Sequence, residues 1–142
     1  IVWTSNTAKA SISNSAVGAV VAADSGAAVI TATSEGKSNT ASLSVSLVPV
    51  DTVTALPSSL TVPIGGSNSI TFTAKTSGGT PLSGRAATIV SSDPARAAAS
   101  PASALTDGSG RVVVTVNGVA SGLSNITVTI EGKANVVVIT VP

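Results

Sequence analysis

Six carboxylates and seven cationic side chains are all that this 142-residue chain offers for acid–base or ionic chemistry, because it has no histidine and no cysteine. The Ser-His and Cys-His routes to an activated nucleophile are therefore closed. A Ser-Lys pair remains formally open, but there are four lysines (Lys9, Lys37, Lys75, Lys133), and two of them stand in Glu-Gly-Lys turns where solvent keeps an ammonium protonated. The acids Asp24, Glu35, Asp51, Asp93, Asp107 and Glu131 are well spaced, which does not suit a carboxylate pair working as acid and base. Asp107 with loop carbonyls is the one conceivable calcium site, yet Asp-Gly and Asp-Ser-Gly are turn signatures, and no Asp-x-Asp cluster accompanies them. Lys37 with Asn39, and Lys133 with Asn135, have the residue types of an isopeptide cross-link but stand outward at a turn, so no cross-link is expected. Asn125-Ile126-Thr127 fits a glycosylation sequon and equally an ordinary strand alternation. The expectation is a non-enzymatic chain with no catalytic, cofactor-binding or metal-binding residues.

A net charge of +1 with 9% charged residues supplies no patch for nucleic acid or an anionic membrane. With one Trp, one Phe and no Tyr, a stacking platform for bases is missing too. The apolar runs, such as Val112 to Val114 and Val136 to Ile139, are far shorter than the roughly 20 residues of a membrane-spanning helix. Neither nucleic acid binding nor membrane insertion is expected. No charged start followed by an apolar stretch opens the chain, so any secretion signal is expected to have been removed or to lie upstream.

Those few functional groups must be carried by strands. Ile70, Phe72 and Ala74 alternate with Thr71 and Thr73, and Ile126, Val128 and Ile130 alternate with Thr127 and Thr129. Period two with β-branched residues predicts half-buried strands, with Ile70, Phe72, Ile126, Val128, Ile139 and Val141 inside and Thr71, Thr127 and Thr129 outside. Turn signals recur at Asp24-Ser25-Gly26, Glu35-Gly36, Gly65-Gly66, Gly78-Gly79, Asp107-Gly108, Asn117-Gly118 and Glu131-Gly132. The Ala-rich stretches 19–28 and 95–104 are broken by Gly26, Pro94 and Pro101 and show no helical stripe, so long helices are not expected.

One motif occurs twice: Thr31-Ala32-Thr33-Ser34-Glu35-Gly36-Lys37-Ser38-Asn39 returns 96 residues later as Thr127-Val128-Thr129-Ile130-Glu131-Gly132-Lys133-Ala134-Asn135. It predicts two equivalent hairpins closing two equivalent domains. A weaker match sets Trp3 to Ala10 against Val90 to Ala97, an offset of 87, which implies about nine extra residues in the second copy, expected between Asp107 and Gly122.

These residues resemble the bacterial Ig-like modules of adhesins, tail proteins and surface layers. Trp3, Ser5, Asn6, Ala8, Gly18, Val20, Ala22, Gly26, Ile30 and Ala32 look like the group-2 type. Pro81-Leu82-Ser83-Gly84 and Thr106-Asp107-Gly108-Ser109-Gly110-Arg111-Val112 are similar to the group-1 type of intimin and invasin stalks. The resemblance implies an all-β fold of tandem immunoglobulin-like antiparallel β-sandwiches. Residues 1–50 would be the closing part of one domain and residues 51–142 a complete seven-stranded one, joined by a short apolar linker, Leu47 to Asp51, that favours end-to-end stacking. With residue 1 matched to residue 88, the first domain lacks a counterpart of some 37 residues, which carry two strands, Leu60 to Val62 and Ser67 to Thr76. Trp3 belongs to the core by its family position; the deficit would uncover Trp3, Ile30 and Leu43. The function implied is a structural repeat segment of an extracellular bacterial fibre, filament or adhesin stalk. Alternatives are a module that binds a glycan or host protein, or a virion decoration domain. Loop tips carrying Gly, Ser, Asp and isolated Arg85, Arg96 and Arg111 favour the structural role. Location at the cell surface or beyond follows. The expected partners are other copies or other Ig-like repeats, with the first domain completed by upstream sequence or a neighbouring chain.

Overall fold

The computed structural model describes residues 1–13, 17–22 and 25–142, and every described regular element is a β-strand. The chain divides into two compact units, Ile1–Val48 and Pro49–Pro142.

In the first unit β1 (Val2–Ser5), β4 (Gly26–Ser34) and β5 (Lys37–Val45) form a sheet in the order β1-β4-β5. β2 (Ala10–Ile12) and β3 (Val20–Ala22) form a separate hairpin. The second unit is a two-sheet sandwich. One sheet holds β10 (Ala97–Ser100), β12 (Arg111–Gly118), β8 (Ser67–Lys75) and β6 (Thr52–Leu56) in that order. The other runs β11 (Ser103–Leu105), β9 (Ala86–Ser91), β13 (Gly122–Ile130), β14 (Lys133–Val141) and β7 (Ser59–Thr61). All ladders are antiparallel except β7 on β14, where Ser59, Leu60 and Thr61 lie beside Val138, Ile139 and Thr140.

Alternation decides which side chains fill the space between the sheets. Ile70, Phe72, Ile126, Val128, Ile139 and Val141 are all buried there, with Val62, Val114, Val116 and Val137. Thr71, Thr127 and Thr129 face outward as expected but are half-buried rather than exposed. They sit on central strands: Thr127 lies between Val90 and Val136, and Thr71 between Leu56 and Val113, so neighbouring side chains shade them.

Both Glu-Gly hairpins form. Glu35 and Gly36, and likewise Glu131 and Gly132, have positive φ (51°, 72°, 50° and 79°), as a two-residue type I′ turn requires. The strand registers then fix how the two units correspond. Trp3 pairs with Ala32 and Ile89 pairs with Val128; since Ala32 and Val128 are equivalent, so are Trp3 and Ile89. Asn6 Oδ1 accepts the Val29 amide at 2.8 Å just as Ser92 Oγ accepts the Asn125 amide at 2.9 Å. The first offset is thus 86, not 87, and Trp3 takes the inward position of Ile89 instead of the outward one of Val90. The offset becomes 87 at the next strand, where Ala10 pairs with Ala22 and Ala97 with Gly118. One extra residue therefore sits in the 93–96 turn. The nine others lie earlier than expected, between β10 and β12, where residues 100–115 replace 13–19 and include β11.

Two further expectations change. The interval ahead of β9 holds three strands, not two, because Thr52 to Leu56 forms a ladder with β8. Together with β11 this gives the sandwich nine strands in place of seven. Val50, placed at the end of the first domain by sequence, is buried in the core of the second unit.

Candidate interaction face of the first unit

The correspondence between units shows which surface is unusual. Strands β1, β2, β3, β4 and β5 occupy the places of β9, β10, β12, β13 and β14, and among the described residues nothing in the first unit takes the places of β6, β7 and β8. The inward face of β5 is consequently open. Ala41 is exposed where its counterpart Val137 is fully buried, and Leu43 and Val45 are half-buried where Ile139 and Val141 are enclosed. On the other wall Val20 is 43% exposed and its counterpart Val116 0%. A groove of about 180 Å³ runs along Trp3, Ile30, Ala32, Asn39, Thr40 and Ala41. Most of the equivalent positions in the second unit belong to the core that Phe72, Ile70, Ala74 and Val53 complete.

Trp3 is half-buried, its indole lying so close over Gly18 that a Cβ there would come within 2.6 Å of the ring. Ile30 is buried despite the open face, since Trp3 lines the same groove beside it. Leu43 is partly uncovered, as the missing strands imply.

In the second unit the opening strands are held by three kinds of contact with the closing hairpin. Glu131 accepts from the Val50 amide (2.9 Å) and from Arg85 Nη1 (2.8 Å). Asn135 Nδ2 donates to Val53 O at 2.8 Å. β7 lies parallel along β14, and the Val62 amide extends the ladder onto Thr140 O at 3.0 Å. Arg85, expected at a loop tip, is 8% exposed and paired, because its guanidinium is drawn in to Glu131. Arg96 is likewise engaged, with Asp93 at 2.9 Å.

The remaining sequence candidates have structural places. Asp107 Oδ1 accepts the amides of Ser109 (2.8 Å) and Arg111 (2.9 Å), which is the role of a turn cap. The Arg111 amide and then the Ser109 amide hold its carboxyl below the ordinary carboxylate value. Asn135 gives its amide to Val53 O rather than to Lys133. Asn125 is exposed on β13, and Lys9 Nζ donates to Ser25 O at 2.7 Å. Asp24 lies outside the described residues. A hydroxyl cluster escaped the sequence reading: buried Ser124 meets Ser91 at 3.0 Å, and Ser91 donates to Ala97 O at 2.6 Å. The cluster ties β9 to β13 and to the start of β10.

No protein-family model matches the chain, and no curated protein matches its sequence. Among solved structures it is similar to domains 4 and 5 of the S-layer protein SbsC, with a TM-score of 0.57 and 22% identity over 98% of this chain and 68% of that one. A longer SbsC structure gives 0.58 and 22%, and this chain spans 19% of it. The Yersinia pseudotuberculosis adhesin InvE gives 0.65 and 18% over 99% of this chain and 48% of that one. The likeness is one of fold. The chain is an all-β protein of immunoglobulin-like antiparallel sandwiches, the first without opening strands among the described residues.

Proposed function

We propose that this chain is a non-enzymatic segment of a repeat protein built from bacterial Ig-like modules, a structural or adhesive part of an extracellular surface assembly such as a fibre, filament or stalk. The observation that carries this reading is the internal duplication: the five strands described in the first unit repeat the places of β9, β10, β12, β13 and β14 in the second, and the copies differ in whether their inner face is closed. Resemblance in fold to an S-layer protein and an adhesin supports the surface location. Partners on this reading are further Ig-like modules, which complete the first unit. The group-2 and group-1 assignments of the two units belong to the same proposal.

Immunogold labelling of intact source cells with antibody against the second unit tests it. The expected result is label on the outer surface or on filaments leaving it; label confined to the cytoplasm of permeabilised cells would refute the reading. A glycan or host-protein array probed with the whole chain separates the structural role from the adhesive one.

A further inference from the structure

The duplication also separates what this sheet requires of its outer surface from what one copy adds. On the outer face of the first unit's β1-β4-β5 sheet, β5 presents Ser38, Thr40, Ser42 and Ser44, all hydroxylated. Their counterparts on β14 are Ala134, Val136, Val138 and Thr140. Thr4 of β1 likewise corresponds to Val90 of β9, and Ala27 of β4 to Leu123 of β13. The same ladder forms with hydroxyls or a methyl at these places, so the larger apolar side chains are not there to hold the sheet together. Val90, Leu123, Val136 and Val138 are 45–65% exposed. The first unit's own outward valines, Val2 beside Thr33 and Val29 beside Ser42, lie two rows apart and make no patch.

In the second unit the apolar side chains converge. Val90, Thr127 and Val136 form one cross-strand row; Val138 is one row further on and Leu123 two. None of the outward residues of the five strands β11, β9, β13, β14 and β7 is charged, whereas the outer face of the other sheet carries Lys75 and Arg111. Contiguous exposed apolar surface of this kind marks an interaction site.

We infer that this face packs against the same face of a second copy of the chain, sheet on sheet, about a two-fold axis lying along β13. The pattern of the face names its occupant. β13 is the middle strand of five, so the axis lays β9 of each copy over β14 of the other and sets Val90 against Val136 twice. The outward residues of β13 then meet their own twins. Leu123 on Leu123 is apolar on apolar, and Asn125 and Thr127 each carry both a donor and an acceptor, so carboxamide and hydroxyl can satisfy their copies. An axis across the strands through Thr127 would carry Leu123 toward the Glu131-Gly132 turn and leave it unmatched. A face without charge also opposes itself with no like-charge repulsion. Five strands about 4.8 Å apart, each showing about five residues of about 3.4 Å, give each face about 400 Å² in projection. Two such faces, with the relief of their side chains, reach the low end of the about 1,200–2,000 Å² that specific pairs bury, which suits a dimer of micromolar affinity. Because the axis runs along the strands, the paired second units point the same way. The inference concerns the second unit's own surface and stands apart from the repeat-module reading.

Sedimentation equilibrium of the 142-residue chain from about 1 µM to about 500 µM, a span that brackets such an affinity, is the test. The mass is expected to rise from 13.6 kDa toward twice that value. A mass fixed at 13.6 kDa throughout, or one that climbs past twice it, overturns the closed pair. Val90→Thr, Val136→Thr and Val138→Ser together copy Thr4, Thr40 and Ser42, residues that the same ladder already accepts. This triple variant is expected to keep the parent's far-UV circular dichroism and to weaken the dimer at least about tenfold, since each change counts twice across the axis. An undiminished dimer in the triple variant overturns the face. Two charged variants read the axis. Val90→Lys with Val136→Glu sets opposite charges against each other, and at low salt it should dimerise more strongly than Val90→Lys with Val136→Lys, which sets like charges together. Equal dimerisation of the two, or none in either, overturns the axis along β13.

Discussion

Replacing Phe72 by Ala asks whether the second sandwich depends on one ring. Phe72 is the only aromatic residue of its unit and is 0% exposed, set on β8 opposite Val112 and Ala55 among Val, Ile and Ala side chains. Removing the ring forfeits about 2–3 kcal/mol of transfer free energy. The small neighbours on both sheets reach poorly into the void, so a residual cavity on the order of 50–80 Å³ adds about 1–2 kcal/mol. The expected loss is about 3–5 kcal/mol, a large part of the about 5–14 kcal/mol that a unit of this size holds. It corresponds to a midpoint lowered by about 15–30 °C. The chain carries its own controls. Its single Trp is in the first unit, so far-UV circular dichroism of the whole chain should show the shift while Trp3 emission reports the first unit separately. Leu56→Ala, on the outer face at 77% exposure, should cost no more than about 0.5 kcal/mol. Equal midpoints for Phe72→Ala and the parent chain would refute the packing account.

Arg85→Ala should cost about 1–3 kcal/mol, read as a lower urea midpoint, because it removes a charged hydrogen bond but leaves Glu131 exposed enough to rehydrate. Gly118→Ala should cost about 1–3 kcal/mol in the same assay, since a Cβ there would lie 2.3 Å from the Pro63 carbonyl oxygen, a backbone atom that yields little. Asp107 has a folded pKa below its unfolded one, so its stabilisation is complete above about pH 4 and fades as pH falls through the folded value. Asp107→Asn should therefore lower the midpoint at pH 6, with the difference from the parent shrinking as pH falls through the folded value; parallel curves at all pH values would contradict the cap.

The strands with strong alternation were legible because period two admits one register once a face is buried, as Ile70 and Phe72 show. The Glu-Gly hairpins were legible because a motif repeated 96 residues apart carries its own turn. β6 was missed because Thr52 to Leu56 is short, follows the linker directly, and owes its place to pairing with β8. The Trp3 match was one residue out because the extra residue hides in the 93–96 turn, where composition says nothing about length. The anchors were out of reach for a different reason: Arg85 is 46 residues from Glu131 and Val53 is 82 from Asn135, distances that no local pattern spans. The signal that could have revealed them was the identity of Glu, Gly, Lys and Asn in both hairpins, which was read as turn chemistry alone.

The parallel pair β7 and β14 has a mechanical meaning. β7 stands near the chain's entry to the second unit and β14 at its exit, and they run the same way, so tension along the polypeptide pulls them in opposite directions along their common ladder. The rungs beside Val138, Ile139 and Thr140 are loaded in shear and must give together rather than one after another. Resistance to forced unfolding is a matter of the unfolding barrier more than of equilibrium stability, and such a latch raises that barrier. Among the described residues β5 is paired only with β4, antiparallel, so the first unit shows no parallel pair of this kind. A parallel strand beside Leu43 would load the outer edge of β5 in the same shear geometry.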